Sequence, residues 1–542
     1  MMFDFPMPDP VRGAHYRQQG HWRDETIAGL IAAVCVRAPE KIAVCDASGM
    51  ALSYGELTRR SAAVAGFLAV QGVGKGSVVT ICLPNWCDTV TAFLATLRLG
   101  AIVNPVPVTY GRADLAHVLT MCDSRALIVS DRFRSTDFQA MLDGMAPQLL
   151  KGRAVIVMGG ALATGRLRWD DALAAQPIRT DALVKADDPA AVLFTSGTEA
   201  RAKGAVHTHN TILFGERVLG TALGVGAEDV AFMASPISHT TGFMHGFVMT
   251  LTTGGTLSLL DIFSGGAAAR QMAAHRATWT MGATPFLGDI SAEMKAAKLS
   301  LPELRYFLCG GAPIPEVLAR QASDLGLRVL SIYGSTESPP HTMVLPQDPV
   351  ENAWLTDGRP LPGIEVRIVG EGGRDMPTGE IGEEWSRGPN TFLGYLGESE
   401  LTARDLDADG WYHSGDLGRL LPDGSVRITG RLKEIIIRGG QNISVREVED
   451  YLAAHPAIAR AAVVGIAHPR LGETGCAVIV PREGMSLTLA DLTAFLAEKG
   501  IARFKLPERL EIWQELPMSP SGKIQKFMIR QRLAEQGEKS SS

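Results

Sequence analysis

Short strand-like patterns alternate with helical patterns in two long blocks of this chain, residues 26–129 and 205–330. Each strand-like pattern is an apolar run of a few residues that ends in glycine or polar residues. These runs are found at residues 78–83, 101–108, 229–234, 256–260, 278–282 and 306–309. Because strands separated by helices pair mostly in parallel, the alternation predicts an α/β fold in which helices cover mostly parallel sheets.

The pattern changes after residue 357, where glycines and turns become frequent and the strand-like runs shorten. These features predict a β-rich subdomain at about 357–431. A second alternating pattern begins near Lys433 and continues for about a hundred residues, a usual domain size. Since 542 residues exceed one ordinary core, we predict an N-terminal domain at 1–431 and a small α+β C-terminal domain at 432–542.

Composition and charge argue against several classes of protein. The net charge of −6 and the isoelectric point near 6.1 leave no broad basic surface, which argues against a nucleic-acid partner. The seven cysteines contain no C-x-x-C pair, so neither a disulfide framework nor a zinc cluster is expected. The N-terminus lacks the pattern of a secretory signal, and glycines and Asp261 interrupt the apolar stretch 247–263. We therefore expect a cytoplasmic protein without an integral membrane segment.

A phosphate-binding loop is predicted within residues 190–209, AAVLFTSGTEARAKGAVHTH. The apolar run 191–194 predicts a strand, and the small residues after it let backbone N–H groups approach anionic oxygens. These small residues are Thr195, Ser196, Gly197 and Thr198. Lys203 adds a positive charge, and a helical segment is expected to begin at Lys203 and Gly204. The spacing is not that of a Walker A loop, and an ordinary exposed loop is the alternative.

Two later strand patterns end in turns that suit a bound nucleotide. In YFLCGGAP, the strand runs into Gly310, Gly311 and Ala312, whose small size allows a flat ring or a backbone to approach. In VLSIYGSTE, Thr336 and Glu337 supply the hard oxygen atoms that Mg²⁺ prefers. A tight turn and a solvated carboxylate are the alternatives.

Four further residues are candidates for the site. Asp416 lies in a glycine turn of WYHSGDL, where a carboxylate can accept hydrogen bonds from the hydroxyls of a ribose, and Arg431 follows a later strand. Lys523 follows a Pro-Ser-Gly turn, and His239 follows an apolar strand. Taken singly, each has an ordinary alternative, namely a turn aspartate, an ion-pairing arginine, a solvated lysine and a buried core histidine.

Together, these motifs resemble the adenylate-forming superfamily, which comprises acyl-CoA synthetases, carrier-loading adenylation domains and firefly-type luciferases. The matching segments are TSGTEARAKG at 195–204, GGAP at 310–313, YGSTE at 333–337, SGD at 414–416, GRLKEIIIRGGQNI at 430–443 and SGKIQK at 521–526. Six separate motifs in the superfamily's order span most of the chain. The resemblance is therefore specific.

The resemblance implies a nucleotide site with named contacts. The loop 195–204, which contains Lys203, is implied to hold the ATP phosphates. Gly310, Gly311 and Ala312 are implied to lie by the adenine, with the Tyr333 ring stacked on the base. Gly334 and Ser335 are further implied nucleotide-binding residues. Asp416 and Arg431 are implied to hold the ribose. The implied ligands of Mg²⁺ are Thr198 and Glu337.

The resemblance also implies how two half-reactions share one site. Lys523 is implied to be the adenylation lysine. The other members of the implied catalytic set are Thr336, Glu337 and His239, of which His239 gates the acyl pocket. Lys433 takes the hinge position of a mobile C-terminal domain. The loop implied to enter the pantetheine tunnel during thioester formation contains Gly439, Gly440 and Gln441.

The implied activity is that of an AMP-forming carboxylic acid:CoA ligase. An acid attacks ATP to give an acyl-adenylate and pyrophosphate, and coenzyme A then takes the acyl group. Mg²⁺ and Lys523 favour the first step by neutralising charge, because both reactants are anionic. No carrier-protein domain fits in the chain, which favours free coenzyme A. The alternatives are a stand-alone enzyme that loads a separate acyl-carrier protein, and a nucleotide-binding regulator with a degenerate site.

The class of acid is predicted from two further segments. GHWRDETI at 20–27 and HTTGF at 239–243 are similar to a branch that includes cyclohexanecarboxylate-CoA ligase and aryl-acid adenylating enzymes. An alicyclic, aromatic or short-to-medium-chain acid is therefore expected, bound by a monomer or a homodimer. The residues predicted to form its pocket are His239, Thr240, Gly242, Phe243, Pro285, Phe286, Gly311 and Ser338.

The chain departs from the superfamily pattern at a few positions. Glu199, Ala200 and Ala202 stand where many members have Thr or Ser, Gly and Pro. Glu199 therefore adds a carboxylate to a loop that is predicted to attract anions. Val445 stands where proline is usual, outside the reacting centre.

Overall fold

The structure is a computed structural model that describes residues 5–160, 162–195, 202–312, 314–438, 441–468, 470–519 and 522–539. The side chains of residues 433, 442 and 537–539 are outside this description. Two large sheets fill the first part of the described chain, and two smaller sheets follow them. The predicted site residues Ser196, Gly197, Thr198, Gly439 and Gly440 lie outside the described residues, as does Glu199.

The first large sheet has nine strands in the described part of the chain. In spatial order they are Arg359–Pro360, Thr342–Met343, Val329–Tyr333, Tyr306–Gly310, Trp279–Gly282, Val230–Met233, Thr256–Leu259, Ile42–Asp46 and Ala51–Ser53. Its six central strands are parallel, and short antiparallel strands close both edges. Ala231, Leu257 and Leu308 on these strands are fully buried, as is usual for parallel strands covered on both faces.

The second large sheet has eight strands among the described residues. In spatial order they are Gly394–Tyr395, Lys203–Thr208, Pro189–Thr195, Ile102–Pro105, Val78–Cys82, Ala126–Ser130, Ala154–Met158 and Leu167–Arg168. The strands from Pro189–Thr195 onward are parallel, and the first two are antiparallel to their neighbours. The predicted α/β fold with helix-covered, mostly parallel sheets is therefore confirmed.

Helices pack on the faces of these sheets and around the later ones. The helical segments are Pro10–Gln18, Ile27–Arg37, Tyr54–Val70, Cys87–Arg98, Arg112–Cys122, Phe138–Asp143, Pro147–Leu150, Trp169–Leu173, His209–Leu223, Thr241–Met249, Thr250–Thr253, Gly265–Ala274, Thr284–Ala297, Glu316–Asp324, Asn352–Leu355, Glu371–Gly373, Ser399–Asp405, Leu432–Glu434, Val445–Ala453, Leu489–Glu498, Arg503–Lys505 and Lys526–Lys539. Thr241–Met249 is a π-helix. Over the described ranges, none of them combines the length and apolar character that a bilayer-crossing helix requires.

The helix Tyr54–Val70 begins directly after Ser53, which caps it. Ser53 Oγ accepts a hydrogen bond from the Glu56 backbone N–H at 3.1 Å, and the Glu56 carboxylate accepts one from the Ser53 N–H at 2.9 Å. This reciprocal capping satisfies two N–H groups that would otherwise lack partners at the helix start. The cap, rather than the apolar periodicity, therefore sets where the helix begins.

Three phenylalanines mark the core between the two large sheets. Phe93, Phe243 and Phe247 are fully buried, and the Phe93 and Phe243 ring centroids lie 5.2 Å apart in an edge-to-face arrangement. Such pairs are favoured because the ring edge is electropositive and the ring face is electronegative. Phe243, predicted to form part of the acid pocket, is instead part of this core.

Two smaller sheets follow in the chain. The strands of the first, all antiparallel, are Glu365–Val369, Gly382–Arg387, Tyr412–Leu420 and Val426–Arg431. The strands of the second are Gln441–Ser444, Ile435–Arg438, Gly472–Pro481, Ile458–His468 and Arg509–Ile512. The second sheet has its own buried clusters, to which Val448, Ile479 and Leu492 belong. The 3₁₀ turn Leu432–Glu434 connects the two sheets at the predicted hinge.

The segment after the phosphate loop differs from the prediction. Lys203 and Gly204 were expected to open a helix, but Lys203–Thr208 is a strand between Pro189–Thr195 and Gly394–Tyr395. Its Ala205 and Val206 side chains are fully buried, and pairing on both sides satisfies the backbone of this segment. The helix begins only at His209, where the Thr208 side chain caps it.

His209 makes the stability of the fold depend on pH. Its ring is buried, Nδ1 accepts a hydrogen bond from the Ile27 backbone N–H at 3.3 Å, and burial lowers its pKa to about 4. As the pH falls, His209 takes up a proton in the unfolded chain before it does so in the folded chain, because an unfolded histidine titrates near 6.5. The stabilising contribution is therefore complete above about pH 6.5 and is lost towards pH 4, by about 3 kcal/mol in total.

This expectation is tested by urea unfolding between pH 7.5 and pH 4.5. His209→Gln should make the free energy of unfolding less dependent on pH than in the wild type. His15→Gln is the control, because His15 is exposed and its replacement should keep the wild-type pH dependence. An identical slope in wild type and His209→Gln would contradict the assignment.

Candidate active site

Lys203 lies at the end of the predicted phosphate loop. Thr195 and Lys203 are paired residues of two antiparallel strands, so both lie at the same end of this strand pair. Lys203 Nζ lies 3.8 Å from Asp405 Oδ2 and 5.2 Å from the centroid of the Tyr395 ring. A carboxylate and the face of an aromatic ring both stabilise this ammonium group, which fixes it beside the loop.

Glu337, the predicted Mg²⁺ ligand, is connected to the same cluster. The Tyr395 hydroxyl donates to Glu337 Oε1 at 2.8 Å, and Asp405 Oδ2 lies 3.2 Å from the same hydroxyl. Burial and the Glu337 charge raise the pKa of Tyr395, so the hydroxyl keeps its proton. Tyr395 therefore holds Glu337 and Asp405 beside Lys203. Sequence reasoning missed Tyr395 and Asp405, because no local pattern marks them.

Thr336 is held from two sides. The Thr240 hydroxyl donates to Thr336 Oγ1 at 3.0 Å, and His207 Nε2 lies 2.8 Å from the Thr336 carbonyl oxygen. Burial lowers the pKa of His207 to about 4, so the ring is neutral near pH 7 and its Nε2–H donates to that carbonyl. Two fixed contacts therefore set the position of the Thr336 hydroxyl. His207 was not predicted as a site residue.

Tyr333, Asp416 and Arg431 are brought together as the motifs predict. Asp416 and Arg431 are paired residues of neighbouring strands, and Arg431 Nε lies 2.6 Å from Asp416 Oδ1. The Tyr333 hydroxyl donates to the other carboxylate oxygen at 2.7 Å. Burial and the Asp416 charge raise the pKa of Tyr333 well above its ordinary value. The phenol therefore remains a donor that orients the carboxylate.

A buried ion pair of His341 and Glu384 packs against Tyr333. His341 Nε2 lies 3.3 Å from Glu384 Oε1, and both side chains are fully buried. The His341 ring meets the Tyr333 ring edge to face, with centroids 4.7 Å apart. Burial alone would lower the pKa of His341, but the Glu384 carboxylate outweighs it and raises that pKa. No local sequence pattern marks either residue as part of the site.

Lys523 reaches a cavity formed by the first large sheet. The residues that line this cavity are Ser235, His239, Thr240, Thr241, His245, Met281, Gly282, Ala283, Gly310, Gly311, Ile332, Tyr333, Gly334, Ser335, Thr336, Pro339, Pro340 and Lys523. A Cβ at Gly311 would lie only 2.7 Å from Lys523 Cε, and Gly311 has a φ of +80° that disfavours other residues. Burial and the nearby Arg431 lower the pKa of Lys523. Gly311 therefore leaves the room that the lysine chain occupies.

His239 lies beside Lys523 in this cavity. Its Nδ1 accepts a hydrogen bond from the Thr241 backbone N–H at 3.2 Å. Desolvation and the positive charge of Lys523 lower the pKa of His239 to about 3, so the ring is neutral. A neutral ring beside the lysine does not repel it, and the histidine forms part of the cavity wall.

Several predicted residues lie elsewhere. Ala312 accepts a hydrogen bond from the Thr284 hydroxyl at 3.4 Å, outside the cavity lining. Gln441 is exposed and is also outside that lining. Ser338 is buried against Ser386 and Asn390, so it is not available to an acid. Of the eight predicted pocket residues, those that line the cavity are His239, Thr240 and Gly311.

Comparison with known proteins identifies the family of this chain. Residues 31–396 match the AMP-binding enzyme family, and residues 447–523 match the AMP-binding enzyme C-terminal domain. A medium-chain fatty-acid–CoA ligase of Escherichia coli (strain K12) is 40% identical over 524 residues, covering 96% of this chain and 92% of that protein. A feruloyl-CoA synthase of Amycolatopsis sp is 34% identical over 484 residues, covering 89% and 94%.

A solved structure shows the same fold. The crystal structure of ATP-bound MatB from Rhodopseudomonas palustris superposes with a TM-score of 0.84 at 29% identity, and the match covers 93% of this chain and 98% of that one. The similarity therefore covers most of the chain and is not limited to the six motifs. This chain belongs to the AMP-binding enzyme family, and the predicted class, an AMP-forming acid–thiol ligase, is confirmed.

Proposed function

We propose that this enzyme joins a small carboxylic acid to coenzyme A through an acyl-adenylate, with the chemistry centred on the cavity beside Lys523. The observation that carries the proposal is the position of Lys523. This side chain comes from the C-terminal part of the chain, yet it lies against Gly311 in a cavity that Tyr333 and Thr336 also line. A cation at this position would neutralise charge where a carboxylate and a phosphate, both anionic, are proposed to approach each other.

The nucleotide is proposed to bind between two groups of side chains. One contains Tyr333, Asp416 and Arg431, and the other contains Lys203 with Asp405 and Tyr395. Asp416, oriented by Tyr333 and Arg431, would accept hydrogen bonds from the ribose hydroxyls. Gly310 and Gly311, which line the cavity, are proposed to lie beside the adenine. Lys203 would attract the phosphates from the other side.

Glu337 and Thr336 offer the hard oxygen atoms that suit Mg²⁺, and Glu337 is already fixed by the Tyr395 hydroxyl. When bound, the ion would neutralise phosphate charge. The chain itself orients the groups around it: Tyr395 holds the Glu337 carboxylate, and Thr240 holds the Thr336 hydroxyl. The other predicted ligand, Thr198, lies outside the described residues.

The proposed substrates are alicyclic, aromatic or short-to-medium-chain acids. Relatives that act on a medium-chain fatty acid and on a feruloyl group support this range. The test is a panel of acids assayed for ATP-dependent AMP release, with free coenzyme A or an acyl-carrier protein as acceptor. We expect release to require coenzyme A for full turnover. Turnover only with the carrier protein would favour the alternative, and no release with any acid would exclude the proposal.

The domain boundary is proposed to act as a hinge between the two half-reactions. In this structure Lys523 occupies the cavity, which suits adenylation, whereas thioester formation needs an open path for the thiol. The residues of the 3₁₀ turn Leu432–Glu434 connect the two parts of the chain. Backbone rotation at Lys433 would exchange the two arrangements, because hinges absorb large φ/ψ changes at a few residues.

Lys433→Pro is therefore expected to retain ATP–pyrophosphate exchange but to lose most acyl-CoA formation from supplied acyl-adenylate. Proline fixes φ near −65°, which agrees with the 3₁₀ turn and so holds the observed arrangement. Lys433→Ala is the matched control, because it leaves φ free and should retain thioester formation. Equal loss of both half-reactions in Lys433→Pro would contradict a hinge at this residue.

A further inference from the structure

A second histidine lines the cavity beside the proposed reacting centre. His245 lies in the π-helix Thr241–Met249, and its side chain lines the cavity together with His239 and Met281. We infer that His245, held by Glu216, recognises a hydroxyl group on the body of the acid substrate. This inference rests on the proposed function, because it concerns which acid the same cavity accepts.

Glu216 fixes the orientation of His245. The Nδ1 atom of His245 lies 3.0 Å from both carboxylate oxygens of Glu216, which belongs to the helix His209–Leu223. The two side chains are only 4% and 2% exposed. A carboxylate only accepts hydrogen bonds, so Nδ1 carries a proton and donates a hydrogen bond to Glu216. The other ring nitrogen, Nε2, is thereby directed away from Glu216.

Nε2 of His245 has no hydrogen-bond partner among the described residues. In the neutral ring this nitrogen accepts a hydrogen bond, and in the protonated ring it donates one. A hydroxyl group can donate and accept, so it matches Nε2 in either protonation state. A hydrocarbon body does neither, and it would leave a polar atom without a partner in a closed site.

The same cavity is otherwise suited to an apolar acid body. Met281, Ala283 and Ile332 contribute hydrocarbon surface to its walls. Against such walls, one polar nitrogen discriminates strongly between acids that differ by a hydroxyl group. Sites built to hydrogen-bond a substrate hydroxyl reject the analogue that lacks it far better than apolar pockets reject an extra methylene. The geometry therefore favours a hydroxylated acid over its unsubstituted parent.

The test compares acids that differ only by one hydroxyl group. For benzoate and hexanoate, kcat/KM for AMP release with coenzyme A is measured beside each monohydroxy isomer. We expect at least one isomer to exceed its parent acid by about tenfold or more in the wild type. In His245→Phe, which keeps a ring of similar size but has no ring nitrogen, that preference should disappear. His245→Gln keeps a donor and an acceptor, and should retain part of it.

Met244→Leu is the matched control, because Met244 is buried in the same helix and is outside the cavity lining. It should keep the wild-type preference. The inference is overturned if no hydroxylated isomer exceeds its parent in the wild type, or if the preference survives His245→Phe. Should His245→Phe not fold, the wild-type comparison and His245→Gln still decide between these results. Absence of AMP release with every acid would instead overturn the proposed function, and the inference with it.

Discussion

Lys523→Ala is expected to lower the rate of acid-dependent ATP–pyrophosphate exchange by about 10²- to 10³-fold. The lysine is the cation that the C-terminal part of the chain places in the cavity, against Gly311 and beside His239. Without it, charge that develops between the acid and the α-phosphate loses a fixed partner. Formation of acyl-CoA from supplied acyl-adenylate should persist, since that step begins after the phosphate displacement.

The control for this prediction is Lys499→Ala. Lys499 is an exposed lysine that follows the helix Leu489–Glu498, and it contacts the ring of Phe495 rather than the cavity. Its loss should leave both half-reactions at wild-type rates. If Lys523→Ala slowed both half-reactions equally, a general structural role would replace the catalytic one.

Glu337→Ala is expected to reduce adenylation by about 10²-fold and to raise the Mg²⁺ concentration needed for half-maximal rate. Glu337 is buried, and the Tyr395 hydroxyl holds its carboxylate in one position. Removal takes away both the negative charge and the fixed oxygen atoms that suit the ion. The measurement is the exchange rate as a function of Mg²⁺ at constant ATP.

A conservative variant separates charge from packing at this position. Glu337→Gln keeps an amide oxygen that can accept from Tyr395, so a packing role predicts near-normal rates and a metal role predicts a large loss. Glu400→Gln is the control, because Glu400 is an exposed residue of the helix Ser399–Asp405. Wild-type turnover and unchanged Mg²⁺ dependence in Glu337→Gln would refute the ligand role.

The motifs were predictable because each combines a strand end with a small polar turn. Gly311, Thr336 and Asp416 could be assigned to one centre from their order in the chain, since the resemblance covers all of them. The bounds of single elements were less predictable. Lys203–Thr208 was expected to begin a helix, but pairing with strands on both sides makes it extended, and such pairing is not visible in a local window.

The residues that orient the site could not be predicted for a related reason. Tyr395 contacts Glu337 from 58 residues away, and His207 contacts Thr336 from 129 residues away. Each is an ordinary strand residue in its own segment. Its importance comes from a neighbour that only the three-dimensional arrangement supplies. The roles of Lys523, Glu337 and Lys433 are predictions that the half-reaction assays test.

The π-helix Thr241–Met249 has a consequence for how relatives of this chain can diverge. Its hydrogen bonds run from residue i to i+5, so it accommodates one more residue per repeat than the i to i+4 pattern of an α-helix. Its residues Thr241 and His245 line the cavity, whereas Phe243 and Phe247 are fully buried in the core. Insertion or deletion of a single residue there would rotate the later side chains about the helix axis and so move cavity and core positions together. A change of substrate range by this route would therefore require compensating changes in the core.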